Sequence, residues 1–137
     1  MSQITKRGRT VPILAKYHPQ NAKRLDTLAG YDVLDTDAET DFDDIVALVS
    51  QICEVPVSLI SLVDSDRQWF KARVGFDPHE TDLEQSVCSH AVLKDDLLEI
   101  EDMAADPRTA DNPLHTSGLM VRFYAGANLV APNGMPI

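Results

Sequence analysis

The stretch that decides the fold covers residues 56–91 and reads PVSLISLVDSDRQWFKARVGFDPHETDLEQSVCSHA. It begins with an apolar segment, turns at an acidic tripeptide, and continues with a segment in which side-chain types alternate. Gly75 then interrupts the pattern, and a short helical segment carrying Cys88 and His90 follows. These features predict two antiparallel strands joined by a tight turn, with a covering helix that buries one sheet face.

The two predicted strands differ in their expected burial. Residues 57–63 are apolar on both faces, which is typical of a central strand that is covered on both sides. The alternating strand has two faces, one with Gln68, Phe70, Ala72 and Val74, and one with Arg67, Trp69, Lys71 and Arg73. This alternation predicts one buried face and one face that carries exposed cations and a tryptophan. We expect further strands at residues 97–100 and 122–131.

Helices are expected before and after these strands. Pro19 and Gly30 bracket a modest apolar stripe and predict a helix over residues 19–29. Thr36 and Glu39 have the spacing of a capping box, and apolar residues at helical spacing follow them. We therefore expect the strongest helix over residues 37–54. A short helix is predicted near residues 83–93, and residues 102–120 read as a loop.

Composition and charge indicate one soluble domain preceded by a basic arm. The chain has 137 residues, of which 44% are hydrophobic, and this is enough for a single core. Residues 1–25 contain six basic and no acidic residues, whereas the rest holds six basic residues and all 22 acidic ones. We expect residues 1–18 to be a solvated, partly disordered arm and residues 19–137 to form the domain.

The same totals exclude several classes of function. An acidic body repels phosphate backbones, so nucleic-acid binding is not expected. No apolar run approaches the roughly 18 residues that a membrane span needs. The only cysteines, Cys53 and Cys88, lie on different predicted elements, which argues against a disulfide framework and favours a reducing cytoplasm.

Four blocks of sequence resemble, in this order, the GAF domains of bacterial sensor histidine kinases and related signalling proteins. The blocks are VPVSLISLVDSDRQWFKARVG at 55–75, SVCSHAVL at 86–93, DPRTADNPL at 106–114 and VRFYAGANLV at 121–130. The resemblance extends from about residue 21 to the last residue. It implies an α+β fold of the profilin-like kind, in which helices flank an antiparallel β-sheet.

The resemblance also sets an expectation for the end of the chain. Pro132-Asn133-Gly134 predicts a hairpin turn, which needs a second strand. The resemblance implies that this strand lies between the first and fourth strands and that a helix follows it, so we expect the domain to be incomplete at its C-terminus. Vacant strand edges invite pairing. We therefore expect strand exchange between protomers, a partner strand, or a different topology.

Cys88 and His90 are the first candidates for chemistry. A thiol beside an imidazole can act as a nucleophile. On a helix, however, side chains two positions apart diverge by about 200°. The sequence therefore predicts no catalytic residues, and we interpret the pair as a small thiol and a polar histidine at a pocket rim. The resemblance leaves one enzymatic alternative, a small cysteine-dependent enzyme of the methionine-sulfoxide-reductase type.

The sequence leaves the cofactor unknown and predicts no metal site. Chromophore-binding relatives commonly have a histidine directly after the bilin-attaching cysteine, whereas this chain has Cys88-Ser89-His90, so bilin attachment is not expected. Haem ligation by His90 or His115 is not expected either, because a lone histidine is more often a satisfied or surface residue. The spacings of the cysteines and histidines match no compact zinc pattern.

A candidate ligand pocket combines aromatic, polar and cationic side chains. Its members are Trp69, Phe70, Cys88, His90, Arg122 and Tyr124. Trp69 could stack on a planar or anionic ligand, or it could pack beneath a helix. Arg122 could bind an anion, or it could fasten the long loop through Asp102 or Asp106.

The functional expectation is a sensory and regulatory module. By resemblance, a small ligand or a partner helix would shift the packing between sheet and helices, and an output domain outside this chain would respond. We also expect a homodimer formed through the first helices, because the apolar residues Leu25, Leu28, Val33 and Leu34 need cover. A dimerisation module without a ligand pocket is the remaining alternative.

Overall fold

The structure, a computed structural model, describes residues 3–4, 10–11, 15–83, 85–116 and 120–137. Two short strands, β1 (Gln3–Ile4) and β2 (Thr10–Val11), form an antiparallel pair within the basic arm. The remaining residues up to position 14 lie outside the described residues. The predicted partial disorder of the arm therefore stays a prediction.

Two longer helices precede the main sheet. α1 (Asn21–Gly30) follows Pro19 closely, as the sequence predicts, and Tyr31 forms its C-terminal cap. α2 (Thr40–Cys53) has Glu39 as its N-cap residue, but the Glu39 side chain makes no capping hydrogen bond. The predicted capping box is therefore wrong. The reason is that the ammonium of Lys71 donates to Thr36 Oγ1 at 2.8 Å and pairs with Glu39 Oε2 at 2.6 Å, so both side chains are already engaged.

The central sheet has three antiparallel strands in the order β3-β4-β5. They are β3 (Ser58–Val63), β4 (Arg67–Val74) and β5 (Glu80–Asp82), and α2 packs on the first two. The sequence analysis did not predict β5, which is short and polar. Its pairing with β4 follows from tertiary contact, beginning where the backbone amide of Phe70 donates to His79 O at 3.0 Å.

A second pair of antiparallel strands, β6 (Leu98–Ile100) and β7 (Tyr124–Gly126), lies beyond a short helix, α3 (Cys88–Ala91). One more helical turn, α4 (Pro113–Thr116), interrupts the loop between them. The chain is thus α+β with antiparallel sheets and helices, as predicted. The predicted helix near 83–93 and the predicted strand over 122–131 are both much shorter in the structure.

A β-bulge in β4 corrects the predicted burial of that strand. Ile60 lies opposite Ala72 while Ser61 lies opposite Phe70, so Lys71 is the extra residue. Trp69 and Lys71 are only 7% and 4% exposed, although the alternation predicts them on the exposed face. On that face, apolar side chains pack around Trp69, and polar partners surround Lys71. The alternation of side-chain types along the strand does not reveal either contact.

Two clusters of buried apolar residues are found in the described part of the chain. The first centres on Leu28, Leu62 and Trp69, and half-buried Val33, Leu34 and Ile137 pack against it. The second lies around α3 and β6, with buried members Val87, Ala91, Leu98, Ile100 and Met103. The first cluster already covers much of the apolar surface near α1. Leu28, Val33 and Leu34 thus find cover within the chain, and dimerisation through the first helices stays a prediction.

The last residues fold back as a hairpin, which confirms the predicted turn. Gly134 has a φ of +85°, and its amide donates to Ala131 O at 2.8 Å. Val130 then pairs with Pro136 in an antiparallel bridge, and the amide of Ile137 donates to Leu129 O at 3.0 Å. The hairpin places the Ile137 side chain against the first apolar cluster.

Candidate functional site

Three side chains from three elements meet between the two apolar clusters. Ser61 of β3 donates a hydrogen bond from Oγ to Cys88 Sγ at 3.1 Å. Cys88 Sγ also lies 3.1 Å from Tyr124 Oη, in a second hydrogen bond. We refer to Ser61, Cys88 and Tyr124 as the thiol cluster. It joins the central sheet to the part of the chain that contains α3 and β7.

Gly126 allows Tyr124 to reach this position. Residues 124 and 126 lie on the same face of β7, and a Cβ atom added at position 126 would overlap the phenol ring and hydroxyl of Tyr124. The ring therefore leans along the strand over the glycine. The available sequence signal was a glycine two residues after Tyr124. A glycine within a strand indicates that another group approaches closely, but it does not identify the side chain that does so.

The thiol cluster is electrostatically suited to hydrogen bonding. Burial raises the pKa of the Tyr124 phenol strongly, and the neighbouring Cys88 thiol adds to this effect. The phenol therefore stays protonated at physiological pH and does not serve as a base. The described contacts of the Cys88 thiol are to two hydroxyl groups, which can orient the sulfur but cannot take its proton at neutral pH.

The structure brings only part of the candidate pocket together. Cys88 and Tyr124 are in contact, and His90 lies half-buried in the same short helix. Trp69 is buried in the first apolar cluster, and Phe70 is buried with its ring edge-on to Phe76 at 5.4 Å between centroids. Trp69 thus occupies the packed position that the sequence analysis gave as one of two alternatives.

Arg122 lies apart from these residues and fastens a loop. Its guanidinium donates to both carboxylate oxygens of Asp102, at 3.0 and 3.1 Å. Its carbonyl oxygen also accepts the amide of Met103 at 2.7 Å. The hydrogen bonds from Arg122 hold the pKa of the Asp102 carboxyl below its usual value. Of the two partners considered in the sequence analysis, Asp102 is the one observed, whereas Asp106 pairs with Arg108 at 2.7 Å.

Lys71 joins the segment before α2 to the sheet, a structural role that the sequence analysis missed. Its ammonium donates to Thr36 Oγ1 and Asp37 O, pairs with Glu39, and lies 5.5 Å from the centre of the Phe42 ring. Its side-chain atoms alone, without the backbone, are 1% exposed. These contacts fix the segment before α2 onto the bulge in β4. No spacing rule marks a bulge in advance, so the alternating pattern gave no signal for it.

Arg67 makes a second polar junction at the start of β4. Its guanidinium contacts three carboxylates, those of Asp35 at 2.7 Å, Glu80 at 2.7 Å and Asp64 at 3.1 Å. The hydrogen bonds from Arg67 hold the pKa of the Asp35 carboxyl below its usual value. Together with Lys71, this residue ties the connection between α1 and α2 to the sheet.

Two hollows of the structure differ in size and openness. A recess of about 20 Å³ is lined by residues that include Lys16, His18, Arg24 and Asp64. Arg24 is 2% exposed and donates from Nε to Asn21 Oδ1 at 3.0 Å, while its Nη1 has no hydrogen-bond partner in the described part of the chain. The recess has room for one water molecule rather than a cofactor. An open groove of about 250 Å³ lies at the end of α1, beside Asp32 and Leu34.

Neither a metal centre nor a membrane span is found within the described ranges. No group of three or more histidine, cysteine, aspartate or glutamate side chains is placed to hold a metal ion there. Among the same residues, no helix combines the length and the apolar character needed to cross a bilayer.

Comparisons with known proteins assign most of the chain to one family. The family model for the GAF domain matches residues 37–137. A cyclic di-GMP phosphodiesterase of Pseudomonas aeruginosa is 37% identical over 103 residues, which is 75% of this chain and 18% of that protein. The chain thus spans less than a fifth of the length of this curated relative.

Proposed function

The chain belongs to the GAF domain family, and on that premise we propose that it is a regulatory module that responds to a small ligand or partner. GAF domains are typically sensory or regulatory. The bound ligand or partner would favour one packing arrangement of the sheet against the helices. This change would be transmitted to an output domain outside these 137 residues. A ligand can shift such packing only as far as it binds one arrangement more tightly than another.

The observation that carries this proposal is the polar junction between the two apolar clusters. Ser61 precedes Leu62 of the first apolar cluster, and Cys88 follows Val87 of the second, so the thiol cluster is a polar connection between the two. Hydrogen bonds at such a junction can be exchanged for hydrogen bonds to a ligand at little net cost, whereas an apolar junction would have to open a cavity. We propose that Cys88, His90 and Tyr124 face the ligand. Buried Trp69 and Phe70 would support them, and Arg122 would lie at the margin.

We propose that the output is enzymatic or kinase signalling in a longer polypeptide. The P. aeruginosa relative supports an output domain in general, because it is named as a phosphodiesterase and matches this chain over only 18% of its length. The histidine kinase association predicted from the sequence has no such support. A reducing cytoplasm is proposed as the site of action, since Cys53 and Cys88 are both free.

We also propose a homodimer, with strand exchange as its mode. β3 is at one end of the order of its sheet, and β7 belongs to a sheet of two strands. Unpaired strand edges of this kind readily accept another strand. This route to a dimer does not depend on the apolar residues of α1.

Native mass spectrometry of the freshly purified full chain tests ligand and dimer in one measurement. We expect a non-covalent adduct that is lost on collisional activation, together with a dimer peak that grows with protein concentration. The same protein under denaturing conditions is the control, because only a covalent group would survive there. The proposal would be contradicted if the protein were found only as a ligand-free monomer. This must hold both before and after incubation with a small-molecule extract of the cells that produce it.

The cysteine-dependent enzyme is tested separately. We expect no turnover of methionine sulfoxide, because the described contacts of the Cys88 thiol are hydroxyl groups rather than a base. Cys88→Ser and Cys53→Ser form a matched pair, the latter at an exposed position. Turnover that disappears only in Cys88→Ser would replace the regulatory function with the enzymatic one.

A further inference from the structure

The small recess at the start of α1 collects cationic side chains. Lys16, His18 and Arg24 line it, and we call this hollow the α1 recess. Asp64 is the one acidic residue among the described residues that line it. The carboxylate of Asp64 is already engaged, because it accepts a hydrogen bond from Arg67 Nε at 3.1 Å. The positive charge of the α1 recess is therefore only partly balanced.

The buried guanidinium of Arg24 is the main reason to expect an anion here. Arg24 is 2% exposed, and its Nε donates to Asn21 Oδ1 at 3.0 Å. Its Nη1 is buried as well, and no hydrogen-bond partner for this atom is found within the described ranges. Burial lowers the pKa of Arg24, and the nearby carboxylate of Asp64 offsets only part of that effect. A buried charge with an unsatisfied donor is costly unless a partner neutralises it.

The start of α1 adds a second, independent attraction for negative charge. α1 has ten residues, its N-cap residue Gln20 makes no side-chain capping hydrogen bond, and its first turn contains no acidic residue. The free backbone amides at the start of a helix and the helix dipole both favour an anion. A capping side chain or an early carboxylate commonly meets this need. The first turn of α1 instead contains Lys23 and Arg24, so a bound anion suits it.

The other polar side chains of the α1 recess are also hydrogen-bond donors. His18 Nδ1 accepts the backbone amide of Gln20 at 3.0 Å, so in the neutral imidazole the proton is on Nε2. Asn21 Oδ1 accepts from Arg24, which leaves the amide nitrogen of Asn21 as a donor. Both residues line the α1 recess. Donors with few free acceptors are typical of a site for an anion rather than a cation.

The size of the α1 recess limits which anion fits. Its volume is about 20 Å³, which is room for one sphere about as large as a water molecule. A tetrahedral oxyanion such as phosphate has several heavy atoms and is too large, whereas a chloride ion is only slightly larger than water. Lys16 and Tyr17 form part of the wall and are exposed, so they can move outwards by a small distance. All lining residues fall between positions 16 and 92, so the C-terminal hairpin takes no part in the α1 recess.

We propose that the α1 recess is a binding site for one halide ion, chloride under physiological conditions, with Arg24, His18 and Asn21 as its donors. The ion satisfies the buried Nη1 and balances the guanidinium charge, whereas a water molecule would satisfy the donor and leave the charge. Because Asp64 and Ser89 also line the α1 recess, the ion links α1 to the end of β3 and to α3. This site is separate from the thiol cluster and does not rest on the regulatory function.

Chlorine NMR of sodium chloride solutions tests the proposal on the full chain. The chloride signal broadens when ions exchange on and off a protein site, and a competing ion that displaces them removes the extra linewidth. We expect extra linewidth in the presence of the protein, and we expect sodium bromide to remove it. Sodium sulfate at equal ionic strength should remove much less, because sulfate is too large for the α1 recess. Equal ionic strength keeps the general screening of surface charges the same.

Two substitutions in α1 form a matched pair. Arg24→Met and Lys23→Met each remove one positive charge, but Lys23 is exposed and does not line the α1 recess. Arg24→Met should weaken chloride binding at least about tenfold, because it removes a charge-assisted hydrogen bond. Lys23→Met should change binding less than about twofold, since an exposed charge is screened by salt. Circular dichroism reports whether each variant is folded. If Arg24→Met unfolds, His18→Phe replaces it, with an expected loss of about threefold.

Four results would overturn the proposal. An absence of extra linewidth in the wild-type chain would assign the α1 recess to a water molecule. Unchanged binding in Arg24→Met, or in His18→Phe where it is the replacement, would place the ion elsewhere. An equal loss in Lys23→Met would show diffuse attraction of ions to basic residues, and equal displacement by sulfate would assign the site to oxyanions. A small-molecule adduct in native mass spectrometry neither requires nor excludes chloride, so each proposal can fail without the other.

Discussion

At the scale of single residues, Lys71 shows how a charge can be buried in this domain. The bulge in β4 turns its side chain inwards, where hydroxyl, carbonyl and carboxylate oxygens surround the ammonium. A buried charge is tolerated only when it is paired and hydrogen-bonded. Together with Arg67, which holds Asp35, this side chain therefore fixes the position of the segment before α2, and α2 begins where that segment ends.

Replacing Lys71 by methionine should be clearly destabilising. The variant leaves the Thr36 hydroxyl and the Asp37 carbonyl without their donor, and we expect the free energy of unfolding to fall by about 2–3 kcal/mol. Urea denaturation measures this loss, with Lys23→Met on the exposed side of α1 as the control. Equal effects of the two substitutions would mean that the Lys71 contacts add nothing to stability.

Replacing Gly126 by alanine should displace Tyr124. The added Cβ overlaps the phenol, so the ring must move and its hydrogen bond to Cys88 must break. We expect a loss of about 1–3 kcal/mol in unfolding free energy. The Cys88 thiol should also react faster with a thiol reagent in a Cys53→Ser background. Gly30→Ala meets no atom within 4 Å and is the control, so an unchanged thiol rate in Gly126→Ala would refute the packing argument.

At the scale of elements, two glycines with positive φ lie at chain reversals in different surroundings. Gly75 follows β4 with a φ of +72°, and a Cβ there would overlap the carbonyl of Pro56. Gly134 forms the C-terminal turn with a φ of +85°, and its Cβ would meet nothing within 4 Å. The first position therefore combines backbone strain with a collision, whereas the second carries strain alone.

Alanine at these two positions separates the two costs. Gly134→Ala should lower the free energy of unfolding by about 1–2 kcal/mol, the cost of a left-handed conformation with a side chain. Gly75→Ala should cost more, because the backbone of Pro56 cannot rotate away as a flexible side chain can. Thermal and urea unfolding compare the two variants directly. A larger loss in Gly134→Ala would show that the β3–β4 end adapts to the added atom.

At the scale of the whole molecule, arginine–aspartate pairs fasten loops around a strongly acidic body. Asp35, Asp102 and Asp106 each accept hydrogen bonds from an arginine, and each carboxyl has its pKa lowered mainly by that arginine. Such groups stabilise the fold above the pKa of an unfolded aspartate. Their contribution is lost as pH falls through the lower pKa of the folded state.

These arginine–aspartate pairs should contribute to the fall of the unfolding free energy at acidic pH, which we call the acid limb of the stability profile. Because the unfolded chain binds more protons than the folded one in this range, unfolding free energy should fall below about pH 4 and change little from these pairs above about pH 5. Asp106→Asn should reduce the slope of the acid limb, whereas Asp95→Asn at an exposed position serves as the control. Unfolding curves measured from pH 2.5 to 7 would contradict this if both variants keep the wild-type slope.

Much of the fold could be predicted because its signals are local. The alternating residues of β4 predicted its bounds correctly, and the Asn133-Gly134 pair predicted the terminal turn, since turn chemistry depends on neighbouring residues. The candidate site was predictable only in part. Cys88 and Tyr124, both named for the candidate pocket, are in contact, but Ser61 was missed because its partner lies 27 residues away.

The sequence by itself determined the α+β class, the antiparallel pairing of β3 with β4 and the family, because periodicity and motif order are properties of consecutive residues. Only the tertiary structure decided that Lys71 and Arg24 are buried and that the buried apolar residues form two clusters. Burial depends on which distant segments come to cover a side chain. That outcome is set by packing over the whole chain, and no local pattern of residues contains it.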